Sequence, residues 1–273
     1  MTEYQYMDII TDLLEHGERR ETRNAFVYSL FGYVLHYDLS AGFPLLTTKR
    51  VWFNGIKSEL AWFLRGSTDV TKLHEHGNHI WDVNTADRNY DAGPIYGFQW
   101  RHFGAEYKDC NTDYSGQGVD QIAKLISEIK ENPTSRRFIL NAWNPADQSN
   151  MSLPPCHVMY QFYVKDGSLS CQMYQRSADV FLGLPFNIAS SALLTHLIAH
   201  ETDLAVGKLR IILGDAHLYE EHIGAASIQL NRVPYAMPIL KIEREKDGLR
   251  NVKMEEIKLE HYRHHGVLRA KLF

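Results

Sequence analysis

The chain is short of most features that mark a specialised architecture. Of its 273 residues only three are cysteine, Cys110, Cys156 and Cys171. That odd and widely spaced set builds neither a disulfide framework nor a zinc ribbon. No apolar run approaches the ~18 residues of a membrane-spanning helix. An excess of one charge is also missing: the formal net charge of −4 gives no reason to expect a nucleic-acid or anionic-membrane surface. Repeats, low-complexity stretches and linkers are absent, and 44% hydrophobic with 23% charged residues excludes disordered and fibrous classes. The opening residues, Met1 to Gln5, lack the charged-then-apolar layout of a secretory leader. A cytoplasmic, reducing location with no membrane and no nucleic-acid partner is therefore expected.

Periodicity in what remains predicts helices mixed with antiparallel strands, an α+β single domain over residues 1–273. Tyr6, Ile9, Ile10, Leu13 and Leu14 make the stripe of a first helix, with capping-box spacing at Thr2 and Gln5 and a stop at Gly17. Residues 26–37 read as a strand. Helices follow from about Asn54 to Leu64 and from about Val119 to Glu131, the second stopped by Pro133. Strands are expected at 138–142, 157–164 and 169–175, the last two joined through Asp166-Gly167 as a hairpin. Residues 186–200 are apolar nearly all round, the pattern of a long buried helix. Short strands, one helix and a turn at Asp247-Gly248 complete the chain.

Four places hold candidate chemistry. Cys156 lies between Pro155 and His157, where the prolines forbid an ordinary helix, and cationic neighbours would raise its thiolate fraction. An inert buried thiol is the competing reading, and it suits Cys171, which alternates with Leu169 and Met173. Glu59 shares a helix face with Ile56, Leu60 and Phe63, so spacing aims a carboxylate at the core, where its pKa would rise; otherwise it is a rim residue paired with Lys57 or Arg65. Arg136, Arg137 and Arg176 are either solvated surface or anion ligands, and Arg176 is followed by the hydroxyl of Ser177. Gly214 to Tyr219 is either a turn with a capped helix start or a pair of polar side chains aimed at a sugar.

In order along the chain, these segments resemble the thymidylate synthase family. The blocks are Gly42 to Arg50 (GFPLLTTKR), His79 to Asp82 (HIWD), Gly93 to Ala105 (GPIYGFQWRHFGA), Ser135 to Arg137, Leu153 to His157 (LPPCH), Tyr174 to Ser190 (YQRSADVFLGLPFNIAS) and Gly214 to Tyr219 (GDAHLY). The resemblance implies a mixed, mostly antiparallel sheet around a long buried central helix, paired sheet-to-sheet in a homodimer. It implies reductive methylation of dUMP to dTMP with 5,10-methylenetetrahydrofolate as cosubstrate and no metal. By this resemblance Cys156 is the nucleophile toward C6 of the pyrimidine, Glu59 manages proton transfers, Tyr96 and His157 hydrogen-bond around that network, and Asp179, also in the catalytic set, helps to place the pyrimidine and folate. Arg176 and Ser177 match the phosphate ligands on the same subunit, and Gln175 beside them is a substrate-binding residue. Arg136 and Arg137 match a pair lent across the dimer interface. Asn187 matches the amide that reads the uracil edge, and His217 and Tyr219 the ribose ligands. Ile80, Trp81, Asn84, Leu153, Asp179, Leu182, Gly183 and Phe186 match the folate-contacting wall.

Three departures stand out. The segment around Arg23, a phosphate ligand by position, lacks the family's glycines. The tyrosine expected after the NIAS block is Ser191. The chain ends in Phe273 where a small aliphatic residue usually folds over the cofactor. A site closed poorly by that residue would let water replace hydride, giving a 5-hydroxymethylase acting on dUMP or dCMP. A catalytically silent nucleotide- or RNA-binding relative is the alternative outside enzymology. The stretch Asp109 to Gly118 is an insertion expected to form a surface loop.

Overall fold

The computed structural model describes residues 3–272. The Phe273 assignment and the Thr2 half of the expected capping box lie outside them. Helix α1 (Tyr4–His16) is followed by β1 (Glu18–Glu21), β2 (Phe26–Asp38), α2 (Phe53–Arg65), α3 (Thr71–His74), α4 (Asp82–Thr85), α5 (Tyr96–His102) and α6 (Gln121–Glu131). Then come β3 (Ile139–Asn141), β4 (His157–Lys165), β5 (Ser168–Asp179), α7 (Gly183–Glu201), β6 (Ala205–Tyr219), α8 (Ile223–Leu230), β7 (Ile239–Ile242) and β8 (Ile257–Glu260).

Six strands form one sheet in the order β1-β2-β6-β5-β4-β3, and β7 pairs with β8 apart from it. All neighbours in the large sheet are antiparallel except β5 and β6, which run parallel. Parallel neighbours need a crossover, and α7 supplies it, packing on both strands. Its near-uniform apolarity is explained by its burial, from Leu184 to Glu201 on almost every face. The Asp166-Gly167 hairpin forms as expected, with both residues at positive φ.

The first helix is tied to the rest of the chain by the residues at its start. Glu3 makes no cap bond; its carboxylate accepts from the backbone N–H of Thr47 (2.7 Å) and Thr48 (2.8 Å) and from both hydroxyls. Gln5 Oε1 accepts from the backbone N–H of His36 at 2.6 Å. The α6 helix begins two residues later than its periodicity predicts. Asp120 caps it by accepting from the Ala123 N–H at 2.9 Å, and Val119 pairs with Phe103 in an isolated bridge. Among the strands that complete the chain, β6 is long rather than short, and β7 and β8 are short as expected. Gly214 to Tyr219 is the last part of β6 rather than a turn and helix start.

Candidate active site

The cysteine loop is clamped from the neighbouring strand. Arg176 Nε donates to the Pro155 carbonyl (2.9 Å), Nη2 to the Pro154 carbonyl (2.8 Å), and the Arg176 backbone N–H to the Cys156 carbonyl (3.0 Å). The Pro-Pro pair cannot join a ladder through its own nitrogens, so this guanidinium fixes where the sulfur stands. Only part of its five N–H groups is used, leaving the rest for an anion, and Trp143 lies beside it, 5.6 Å from ring centre to Cζ.

On the other side, the Cys156 N–H donates to the Tyr96 hydroxyl at 2.6 Å. Tyr96 opens α5, a helix buried along its whole length, and its ring packs on Phe63 of α2 at 4.7 Å and on His157 at 5.5 Å. Burial raises the Cys156 thiol pKa, while Arg176 and Tyr96 act in the opposite direction. A neutral thiol beside a cation is thus poised for deprotonation once the site changes. Cys171, by contrast, is fully enclosed and pushed up to about 12 by burial, the inert thiol its alternation suggests.

Glu59 lies where helical spacing puts it. Its carboxylate accepts from Trp81 Nε1 at 2.8 Å and makes no ion pair among the described residues. Lys57 is buried elsewhere, donating to the carbonyls of Met254 and Ile257, which disposes of the rim pairing. Burial pushes the Glu59 carboxyl up to about 7, with the Trp81 bond resisting. A group half-protonated near neutrality both gives and takes protons.

His157 is buried, and desolvation lowers it to about 4, against the Asn187 side chain. It is therefore a neutral imidazole at physiological pH. Its Nδ1 meets the Tyr160 hydroxyl at 3.2 Å, and that hydroxyl lies 3.4 Å from Ser191 Oγ. The departure at Ser191 leaves a small residue beneath Tyr160, which brings a phenol to His157 from β4. Replacing Tyr160 with phenylalanine is expected to lower turnover about fivefold with little change in KM, the scale of one buried hydrogen bond; steady-state kinetics checks it.

Gln175, expected among the substrate-binding residues, is tied to Asn187. Its amide nitrogen donates to Asn187 Oδ1 (2.8 Å) and to the Ser177 carbonyl (2.9 Å). With Gln175 so fixed, the Asn187 amide has one orientation, oxygen toward Gln175. Gln175 Oε1 and His157 Nε2 are buried without a hydrogen-bond partner among the described residues. Two such orphans flanking Asn187 mark a surface that wants a polar ligand.

Asp179 accepts from the N–H groups of Phe181 (3.0 Å) and Leu182 (3.1 Å). It pairs across the sheet with His217, whose Nδ1 lies 3.1 Å from Asp215 and whose ring meets Tyr219 edge-on at 5.4 Å. Arg23, exposed in the β1–β2 turn, lies close enough to Tyr219 to act on its ionisation. Ser177 faces Asp215 in the same ladder. Ile80, Leu153, Leu182 and Phe186 are partly buried apolar side chains packed on the core, Trp81 is buried, and Asn84 and Gly183 are half-buried. Arg136 and Arg137 are not brought in. Both are exposed, and Arg137 lines a groove of about 420 Å³ between α6 and β3 with Phe103, Val119 and Lys124.

Lys49 had no assigned role. Its ammonium donates to the Phe181 carbonyl and sits 3.7 Å over the Phe181 ring. Burial lowers it to about 7, with Asp179 and Glu3 opposing. A lysine inside the apolar-flanked GFPLLTTKR block was the available signal.

Comparison with known proteins gives the family. The family described as thymidylate synthase matches residues 4–273. A thymidylate synthase of equine herpesvirus 2 is 49% identical over 279 residues, covering 97% of this chain and 96% of its own. The thymidylate synthase of Homo sapiens is 47% identical over 283 residues, 99% of this chain and 90% of its own. A bifunctional dihydrofolate reductase-thymidylate synthase of Paramecium tetraurelia is 48% identical across 99% of this chain, which spans 61% of that longer protein. A match of this length and identity leaves one assignment: the chain belongs to the thymidylate synthase family.

Proposed function

We propose that residues 1–273 work as one catalytic domain that methylates dUMP to dTMP, with 5,10-methylenetetrahydrofolate as one-carbon and hydride donor. The observation that carries the reading is the convergence of Cys156, Tyr96, the Glu59–Trp81 pair, His157 and the Gln175-oriented Asn187 from separate segments.

C5 of uracil is a poor nucleophile. The Cys156 sulfur adds to C6, the displaced π electrons move toward C5 and O4, and C5 becomes electron-rich. The Asn187 amide oxygen accepts from N3–H and its nitrogen donates to O4, selecting a uracil edge. Glu59, near half-protonation, holds and moves the protons that O4 and C5 exchange, with Tyr96 and neutral His157 fixing the surrounding bonds. Arg176, Ser177 and Arg23 meet the phosphate, and His217 and Tyr219 the ribose. The half-buried apolar side chains at Ile80, Leu153, Leu182 and Phe186, beside Trp81, fit a flat heterocycle, and Asn84, Asp179 and Gly183 complete that wall. The folate, when bound, supplies the carbon unit and the hydride. Release breaks the S–C6 bond and returns the thiol.

A homodimer completes the reading. Register places Met159, Tyr174, Ile212 and Val34 side by side across four strands, alternating with the buried Tyr160, Met173, Ile211 and Leu35. They form an apolar row on the outer face, suited to a second copy. Arg136 and Arg137, outside their own chain's site, then serve the neighbouring one. Free cysteines throughout support a cytoplasmic location.

Incubating the protein with dUMP and methylenetetrahydrofolate tests the activity. Dihydrofolate absorbance should rise in step with dTMP mass. A 5-hydroxymethyl nucleotide without dihydrofolate would assign water, not hydride, to the final step.

A further inference from the structure

The turn that carries Ile80 and Trp81 is bracketed by three side chains outside the chemistry above. His74 ends α3, His79 precedes α4 and Asp82 begins it. His74 Nε2 lies 2.7 Å from Asp82 Oδ1, and His79 Nδ1 lies 2.9 Å from Asp82 Oδ2. The two imidazoles stack with centroids 4.6 Å apart and planes 25° from parallel. One donor atom from each residue lies within 4.8 Å of the other two, and no other such group of three occurs among the described residues. The cluster is open to solvent, with His79 61% exposed at its side chain.

We propose that His74, His79 and Asp82 form a binding site for a divalent transition metal, zinc foremost, with water in the remaining positions. Two imidazoles and a carboxylate are a borderline donor set. They suit zinc, cobalt or nickel better than magnesium or calcium, which prefer all-oxygen shells, and the lack of a thiolate disfavours cuprous ion. The donor atoms already converge, so small side-chain rotations bring them to the ~2.0–2.2 Å that zinc requires. Binding requires each ring to carry its N–H on the far nitrogen, so that the nitrogen facing Asp82 presents its lone pair to the metal. The bound ion would tie the end of α3 to the start of α4. That braces the turn holding Trp81, whose indole donates to Glu59.

The test reads bound metal directly and does not depend on turnover. The full chain is titrated with Co²⁺ while visible and near-ultraviolet absorbance are followed, and Zn²⁺ uptake is measured by equilibrium dialysis. Wild type should take up one ion per chain, with weak visible bands that added Zn²⁺ abolishes and no intense thiolate band. His79→Ala, an exposed position whose folding is checked by circular dichroism, should weaken binding at least ~tenfold. His264→Ala, in the exposed C-terminal segment, should leave it unchanged. Absence of saturable binding, unaltered affinity in His79→Ala, or a thiolate band placing the ion on a cysteine would each overturn the site.

Discussion

Changing Cys156 to alanine is expected to lower turnover by about 10⁴-fold or more, while dUMP still binds. The loss is large because no other sulfur can substitute. Cys171 is buried at 3% exposure, and Cys110 lies in the loop after α5 with its thiol pushed up to about 11 by burial and nearby acids. Binding should survive because Arg176, Ser177, Asn187 and His217 do not use the sulfur to hold their positions. The Pro154 and Pro155 carbonyls and the Cys156 N–H keep their partners in the variant. Single-turnover kinetics with calorimetry of nucleotide binding checks both halves. Turnover within tenfold of wild type would remove covalent addition from the mechanism.

The second large effect belongs to Glu59→Gln, and it has two readouts. Activity should fall by about 10²–10⁴-fold, the usual worth of a positioned acid–base group. Stability should change in a pH-dependent way whose sign follows from burial. The carboxyl is raised from 4.5 to about 7 in the folded chain, so the native state binds this proton more tightly than the unfolded chain does. Its contribution is fully present below the ordinary carboxylate range and is lost as pH rises through 7. Relative to Glu59→Gln, the wild type should therefore lose on the order of 3 kcal/mol between about pH 5 and about pH 9. Urea denaturation of both proteins across that range yields the difference. A flat difference profile would mean the carboxylate is well solvated and unsuited to proton management.

Much of this site could be read from the chain because its spacing carries direction. Glu59 is helical in register with Ile56, Leu60 and Phe63, so one periodicity argument aimed it inward, and α1, α2 and the β4–β5 hairpin followed from equally plain patterns. The parts that escaped did so for physical reasons. Helix α5 is buried on every side, Gln99, Arg101 and His102 included, so it has no polar face and no amphipathic period to detect. Several of its polar groups are held by partners outside the helix, Arg101 by the Leu64 carbonyl and Asp120, Gln99 by the Pro94 carbonyl and Asp147. Strand β6 is broken in sequence by Gly207 and Gly214, where backbone and side chains of β5 approach so closely that a Cβ would clash. Those glycines look like stops and are in fact points of close strand contact. The Gln175–Asn187 bond joins a strand to the first turns of a helix, and no local pattern encodes it. Arg136 and Arg137 were legible as a basic pair, but both are exposed and neither guanidinium has a partner among the described residues.

The order of strands also governs how the protein can be made. Strand β6 lies between β2 and β5, so the early hairpin β1–β2 has no seat in the sheet until residues 205–219 have left the ribosome. By then the segments bearing Glu59, Tyr96 and Cys156 are already synthesised and must wait with their apolar faces unmatched. Such long-range closure slows folding and lengthens exposure to aggregation. A nascent chain stalled short of Tyr219 should therefore be a client for chaperones rather than a partly working enzyme.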